Sequence, residues 1–170
     1  MAGASNSGKS TLCAALMARG LGYHCDDSAV LDREFRVASA PFGLMLREGS
    51  WSALEPLLPE LKKATVYRRW GTDVRFLAPT SIAGPTHVKA LIFVRYEAIG
   101  GTELEELTVF ESLLELQRSG FWVEHTHERI ERFLIWLGTI GRYRLHYNRL
   151  DEAEEIVERF AMGNSSTHSR

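Results

Sequence analysis

Gly3-Ala4-Ser5-Asn6-Ser7-Gly8-Lys9-Ser10-Thr11 is the stretch on which the fold turns. It fits the pattern G-x-x-x-x-G-K-[ST], in which glycines let the backbone curl with its N–H groups inward and a helix N-terminus adds partial positive charge at the same point. Chance produces such a match in about one chain of this length in a hundred, or fewer. The helix that the pattern requires follows at once: Thr11 to Arg19 is apolar nearly all round and stops at Gly20, as a buried helix with a glycine cap does. On this reading all nine residues hold a nucleotide, with Lys9 reaching its β- and γ-phosphates and the Ser10 hydroxyl taking magnesium. Only Met1 and Ala2 precede Gly3. The buried strand that normally launches such a loop is therefore expected to be missing, through a fragmentary chain, a start further upstream, or loss of the strand with impaired nucleotide binding.

Working outward, Asp26-Asp27 stands one helix and one turn after Lys9, at the end of an expected strand from Tyr23. Two neighbouring carboxylates beside phosphate can divide two tasks, holding magnesium and accepting the proton of an attacking hydroxyl. Ser28 to Leu31 and Phe35 to Ser39 alternate around Asp32-Arg33-Glu34 and predict a hairpin. Thr65 to Arg69 and Asp73 to Leu77, around Trp70-Gly71-Thr72, predict a second. Between them Ser50 is expected to cap a short helix over Trp51 to Leu58. The continuous apolar run Ala90 to Val94 has the character of a strand buried on both faces, as in a parallel sheet. Helices are predicted from the Thr108/Glu111 capping box to Arg118, around Ile130 to Leu137, and from Leu150 to Phe160, with a strand at Tyr143 to Tyr147. The expected fold is α/β and P-loop NTPase-like: a mainly parallel sheet flanked by helices, with inserted β-hairpins, over residues 1–162. Residues 163–170 are expected to be a disordered tail.

Composition narrows the function. The 170 residues carry 20 basic and 22 acidic side chains, a net charge of −2, which argues against a dedicated nucleic-acid or polybasic membrane-surface binder. A domain of this size buries roughly 70% of its unfolded surface and needs no disulfide or metal to hold a core. Cys13 and Cys25 are the only cysteines and are read as buried thiols in a reducing cytoplasm. No apolar run approaches the ~20 residues of a membrane span, and Lys9 with Leu12 to Ala18 is too short a run to prefer as a signal peptide. His125-Thr126-His127-Glu128 lacks the i, i+4 spacing of a helical zinc site, and the four tryptophans are scattered, as core or lid residues are rather than a base-stacking platform.

The loop above, His24-Cys25-Asp26-Asp27-Ser28-Ala29-Val30, Pro41, and Leu91-Ile92-Phe93-Val94-Arg95-Tyr96 together resemble the HPr kinase/phosphorylase superfamily, most closely its short serine-kinase relatives. The likeness extends to the helix beginning Leu150-Asp151-Glu152-Ala153. It implies that Lys9 and Ser10 bind ATP and Mg2+, and that an aspartate of the pair is the base toward a protein serine. Asp26 is preferred for that role, leaving Asp27 with Ser10 for the metal. Where that family carries Glu-Ile-Arg-Gly, this chain reads Met45-Leu46-Arg47-Glu48-Gly49, so the arginine is kept and the metal-binding glutamate is Met45 unless Glu48 substitutes. The family's histidine-bearing strand before the loop has no counterpart. Arg47 and Arg95 are the candidates to neutralise charge on the transferring phosphoryl group, since an arginine at a strand end near phosphate is well placed to do so.

The expectation is an ATP-dependent kinase of a hydroxyl, with a serine-bearing peptide or protein as partner and no nucleic acid or membrane; monomer and homo-oligomer are both open. A small-molecule kinase of the shikimate or gluconate type ranks second, because those enzymes follow their acidic motif with a helix where Ser28 to Ser39 reads as a hairpin. A non-catalytic ATP-binding module is the alternative from another class.

Overall fold

The computed structural model describes residues 1–26, 28–40 and 42–163. In chain order they form α1 (Lys9–Ala18), β1 (Val30–Leu31), β2 (Arg36–Ala38), β3 (Leu44–Arg47), α2 (Glu48–Leu54), a 3-10 turn (Pro59–Lys63), β4 (Tyr67–Arg69), β5 (Thr72–Leu77) and β6 (Thr86–His87). There follow β7 (Ala90–Tyr96), β8 (Glu103–Glu106), α3 (Val109–Arg118), α4 (His127–Thr139), β9 (Gly141–Tyr147) and α5 (Leu150–Ala161). They divide into two compact units, Met1–Lys9 with Lys89–Arg170, and Ser10–Val88. No helix among the described residues is long and apolar enough to cross a membrane.

The chain is α/β, but the mainly parallel, P-loop NTPase-like sheet is not what forms. Instead there are three separate three-stranded sheets, ordered β1-β2-β6, β3-β5-β4 and β7-β9-β8. Among the described residues, β7 with β9 is the one parallel pair of named strands; the other pairings are antiparallel. The reason lies in the connections. Parallel neighbours need a crossover of a dozen or more residues, whereas tight turns close antiparallel hairpins. The stretch 28–87 is rich in such turns, so its strands pair with one another.

In the unit of Met1–Lys9 and Lys89–Arg170, the apolar run of β7 is buried as predicted at Ile92, Phe93 and Val94. One edge of β7 is bonded by β9, with Gly141 N–H donating to the Lys89 carbonyl and Glu97 N–H to that of Tyr147. The even-numbered residues turn their amides to the other edge. There Ala2 N–H donates to the Ile92 carbonyl, and Val94 N–H to Ala2, each at 2.9 Å, a single parallel bridge. Strand β8, rich in glutamate and unpredicted, lies antiparallel on β9, where Glu105 faces Arg144 across the pair and bonds it at 2.6 Å. The capping box of α3 forms as expected, Thr108 Oγ1 accepting from Glu111 N–H and the Glu111 carboxylate from Thr108 N–H. Phe121 stacks on Phe133, which also meets Trp136.

In the unit of Ser10–Val88, the first predicted hairpin forms as β1 and β2. Asp32 organises its turn, accepting from the amides of Glu34 and Arg36 and from Arg36 Nε. The predicted strand from Tyr23 is reduced to one parallel bridge, Tyr23 with Ile82. The second hairpin forms as β4 and β5, with Trp70 (φ +47°) and Gly71 (φ +80°) between Arg69 and Thr72. Positive φ at both central residues is the type I′ pattern, whose twist matches that of the strands. Strand β3, not predicted, adds antiparallel to the far side of β5. Helix α2 begins at Glu48, before the predicted Trp51, and Ser50 does not cap it; its hydroxyl donates to the Arg47 carbonyl. Trp51 packs under the Arg75 guanidinium, 4.0 Å from its ring centre, and donates through Nε1 to the Leu46 carbonyl. Trp70 and Trp122 are exposed rather than packed in a core.

Candidate active site

The glycine-rich stretch is a loop running from the Ala2 bridge into α1 at Lys9. Gly3 (φ +147°) and Gly8 (φ +89°) hold conformations that side chains rarely adopt. They are also crowded. A Cβ on Gly3 would stand 2.8 Å from Ser7 Oγ and 2.9 Å from the Val94 carbonyl; one on Gly8 would meet the Tyr147 hydroxyl and lie 2.9 Å from Tyr96 Cβ. Asn6 supplies a third positive φ, and Ser7 N–H donates back to the Ala4 carbonyl.

Strands β7 and β9 fix this loop at their carboxyl ends, where α/β sheets present ligands. Tyr96 N–H, on the edge of β7 away from β9, donates to the Ser7 carbonyl at 2.9 Å. Tyr147, the last residue of β9, donates its hydroxyl to the Gly8 carbonyl at 3.1 Å. Burial, with a smaller contribution from Tyr96, pushes the Tyr147 phenol up to about 12, so it remains a donor. The Lys9 ammonium folds over the loop, donating to the Ala4 carbonyl at 2.7 Å and lying 3.5 Å from Ser7 Oγ.

In the other unit, Ser10 donates its hydroxyl to Asp26 Oδ1 at 2.8 Å, and Met45 N–H donates to Asp26 Oδ2 at 3.3 Å. Met45 sits in β3 with its amide turned away from β5, so Asp26 lies along the outer edge of that strand. Asp27 and Pro41 lie outside the described residues. Burial raises the thiol pKa of Cys25 and pushes that of Cys13 up to about 12. Neither is a thiolate nucleophile at neutral pH.

The two predicted arginines part company. Arg47 ends β3 and makes no ion pair among the described residues, and Glu48 beside it accepts from Thr72 instead. Arg95 is committed elsewhere: its Nη2 donates at 2.7 Å to Glu115, a buried carboxylate of α3 that Arg144 and Arg118 also hold. Burial alone would raise the Glu115 pKa, but the hydrogen bonds from Arg95 and Arg144 hold it below the ordinary value. Sequence reading missed Glu115, which stands 20 positions from Arg95 with nothing local to join them.

Magnesium was tested against the donors present. Octahedral ligands at 2.0–2.1 Å from Mg2+ lie about 2.9 Å apart when adjacent. The 2.8 Å between Ser10 Oγ and Asp26 Oδ1 fits that spacing. Among the described residues no group of three or more His, Cys, Asp or Glu side chains is placed to hold a metal, so His125 and His127 form no such cluster. Comparison of the chain with family models, curated proteins and solved structures finds no match to any of them.

Proposed function

We propose that the protein is an ATP-dependent kinase that transfers the γ-phosphoryl group to a hydroxyl, serine on a peptide or protein being the acceptor that the family resemblance suggests. One observation carries the reading: the serine of the phosphate loop is hydrogen-bonded to the first of the paired acids, Ser10 Oγ to Asp26 Oδ1 at 2.8 Å. A glycine-serine turn needs no carboxylate there; a loop that handles a metal-bound phosphate does.

The loop amides and Lys9 receive the phosphates of ATP, with the glycines admitting close approach of the backbone. Ser10 and Asp26 would hold magnesium, which when bound offsets charge on the β- and γ-oxygens. With Asp26 beside the metal in this division, the proton of the attacking hydroxyl falls to Asp27. The acceptor oxygen bonds to the γ-phosphorus, the bond from phosphorus to the ADP oxygen breaks, and the acceptor proton goes to the aspartate. Arg47, without an ion-pair partner among the described residues, meets charge on the transferring group. A function that consumes ATP goes with a cytoplasmic location.

The test is incubation with labelled ATP, Mg2+ and serine peptides, alongside calorimetric ATP binding. Lys9→Ala should lose ATP binding, Asp26→Asn should raise the Mg2+ requirement, and Asp27→Asn should lower kcat by about 100-fold or more with ATP binding kept. ATP binding with no transfer to any hydroxyl would overturn the enzymatic reading, and transfer only to a small polyol or acid would overturn the peptide acceptor.

A further inference from the structure

We infer that the face of the β3-β5-β4 sheet that carries Phe76 and Arg69 docks an acidic, extended peptide segment, with its acceptor at the Asp26 edge and its carboxylate on Arg69. The inference rests on the kinase reading for the acceptor but not for the docking.

Strand pairing assigns the faces. Residues opposite one another in antiparallel strands share a face, as do residues two apart. Met45 pairs with Phe76, Val74 with both Arg47 and Tyr67, and Thr72 with Arg69, so Met45, Arg47, Phe76, Val74, Tyr67, Thr72 and Arg69 share one face. The contacts agree: Tyr67 and Phe76 meet edge to face at 5.7 Å, and the Arg69 guanidinium lies 6.0 Å from the Phe76 ring centre. Arg75 is on the opposite face, engaged with Trp51 and Glu55 of α2.

The face is apolar and basic; Val74 at its centre is buried, and the aromatic side chains around it are open to solvent. Tyr67 is 51% exposed, Phe76 38% and Trp70 74%. Among the described residues no carboxylate pairs with Arg69, whose guanidinium lies 4.9 Å from the Trp70 ring centre; Asp73 is taken by Arg68 on the other face. Trp70 is the informative residue. It occupies the first positive-φ position of a type I′ turn, where asparagine or glycine is favoured and a bulky side chain is strained. Strained, exposed and stacked beside an unpaired cation, it has the character of a binding residue rather than a structural one.

Geometry sets the register. From Met45, which donates to Asp26, to Arg69 is two strand spacings across and four residues along. That is about 17 Å, or about five residues of extended chain. The segment therefore carries glutamate or aspartate about five residues from the acceptor, with an apolar side chain beside it for Trp70 and Tyr67.

The experiment separates docking from catalysis. A fluorescein-labelled peptide of about twelve residues, with alanine at the acceptor position and glutamate-phenylalanine-glutamate around the fifth position beyond it, is titrated with the full chain without ATP, and binding is read by anisotropy. Arg69→Glu should weaken binding by at least 10-fold, and a lysine-for-glutamate peptide should recover it. Trp70→Asn suits the turn and should keep the unfolding midpoint or raise it, while weakening binding about 5- to 10-fold. Equal binding of glutamate and glutamine peptides, or no effect of either substitution, overturns the inference, as does tighter binding of an oligouridine of equal length. If the peptide docks as described and its serine version receives no phosphate, the kinase reading falls and the docking face stands.

Discussion

Gly8 has no room for a side chain and Tyr147 has one essential atom, its hydroxyl hydrogen. Gly8→Ala forces a Cβ onto the Tyr147 hydroxyl and strains a φ of +89°, a cost of order 1–3 kcal/mol taken in the loop itself. ATP affinity should fall at least about 30-fold, measured by calorimetry. Tyr147→Phe keeps the ring and deletes one hydrogen bond to the Gly8 carbonyl, so the KM for ATP should rise only about 3- to 10-fold, with kcat nearly unchanged. A larger effect of Tyr147→Phe than of Gly8→Ala would mean that the loop does not receive phosphate. At this scale the conformation of the loop was legible, because the positive φ of Gly3 and Gly8 and the start of α1 at Lys9 are local matters of one short turn. The bond from Ser10 to Asp26 was not legible: adjacent aspartates share a sequence context, and nothing in it says which of them the hydroxyl meets. The ion pair of Arg95 was not legible for the opposite reason. Its partner, Glu115, comes from another element.

Among the elements, those with their own start and stop signals could be read in advance. The α3 box is such a case, both reciprocal bonds of Thr108 and Glu111 being present. Thr108→Ala leaves the Glu111 amide without its acceptor and should cost about 1 kcal/mol by urea denaturation, with Thr108→Ser restoring most of it. No loss would mean that packing of Leu116 and its neighbours alone holds the helix. The two hairpins were legible through their turns. Strand β8 was not, because Glu103-Leu104-Glu105-Glu106 carries no apolar alternation; it is an edge strand whose pairing with β9 is read through Arg144. Nor was β3, since Leu44 to Arg47 has no turn joining it to β5, 25 or more residues away. The parallel-sheet expectation failed here too: burial on both faces was inferred correctly for Ile92, Phe93 and Val94, but which strands would flank that run depends on non-local pairing.

At the scale of the whole molecule, charge decides how stability responds to acid. Four carboxylates, Asp32, Glu111, Glu115 and Asp151, are held below their ordinary values. For Asp32 the cause is the Arg36 amide, for Glu111 the Thr108 hydroxyl, and for Asp151 the Arg149 guanidinium; these three are solvated and contribute little each. Glu115 differs, with a side chain 5% exposed and accepting from three guanidinium groups. A depressed pKa means that the folded state binds protons less readily than the unfolded one. Its stabilisation is therefore complete above the unfolded carboxylate value near 4.5 and is lost as pH falls through the lower folded value. Glu115→Gln removes the shared charge at neutral pH and leaves three arginines facing one another. It should cost about 2 kcal/mol, below the usual 3–5 for breaking a buried pair because Arg95 and Arg118 reach solvent. Urea midpoints at pH 7 should thus be well separated between the wild-type chain and Glu115→Gln, and should converge as pH falls below 4.5 and the wild-type carboxylate is protonated. A separation that persists undiminished in acid would show that the loss comes from packing around α3 and not from the arginine cluster.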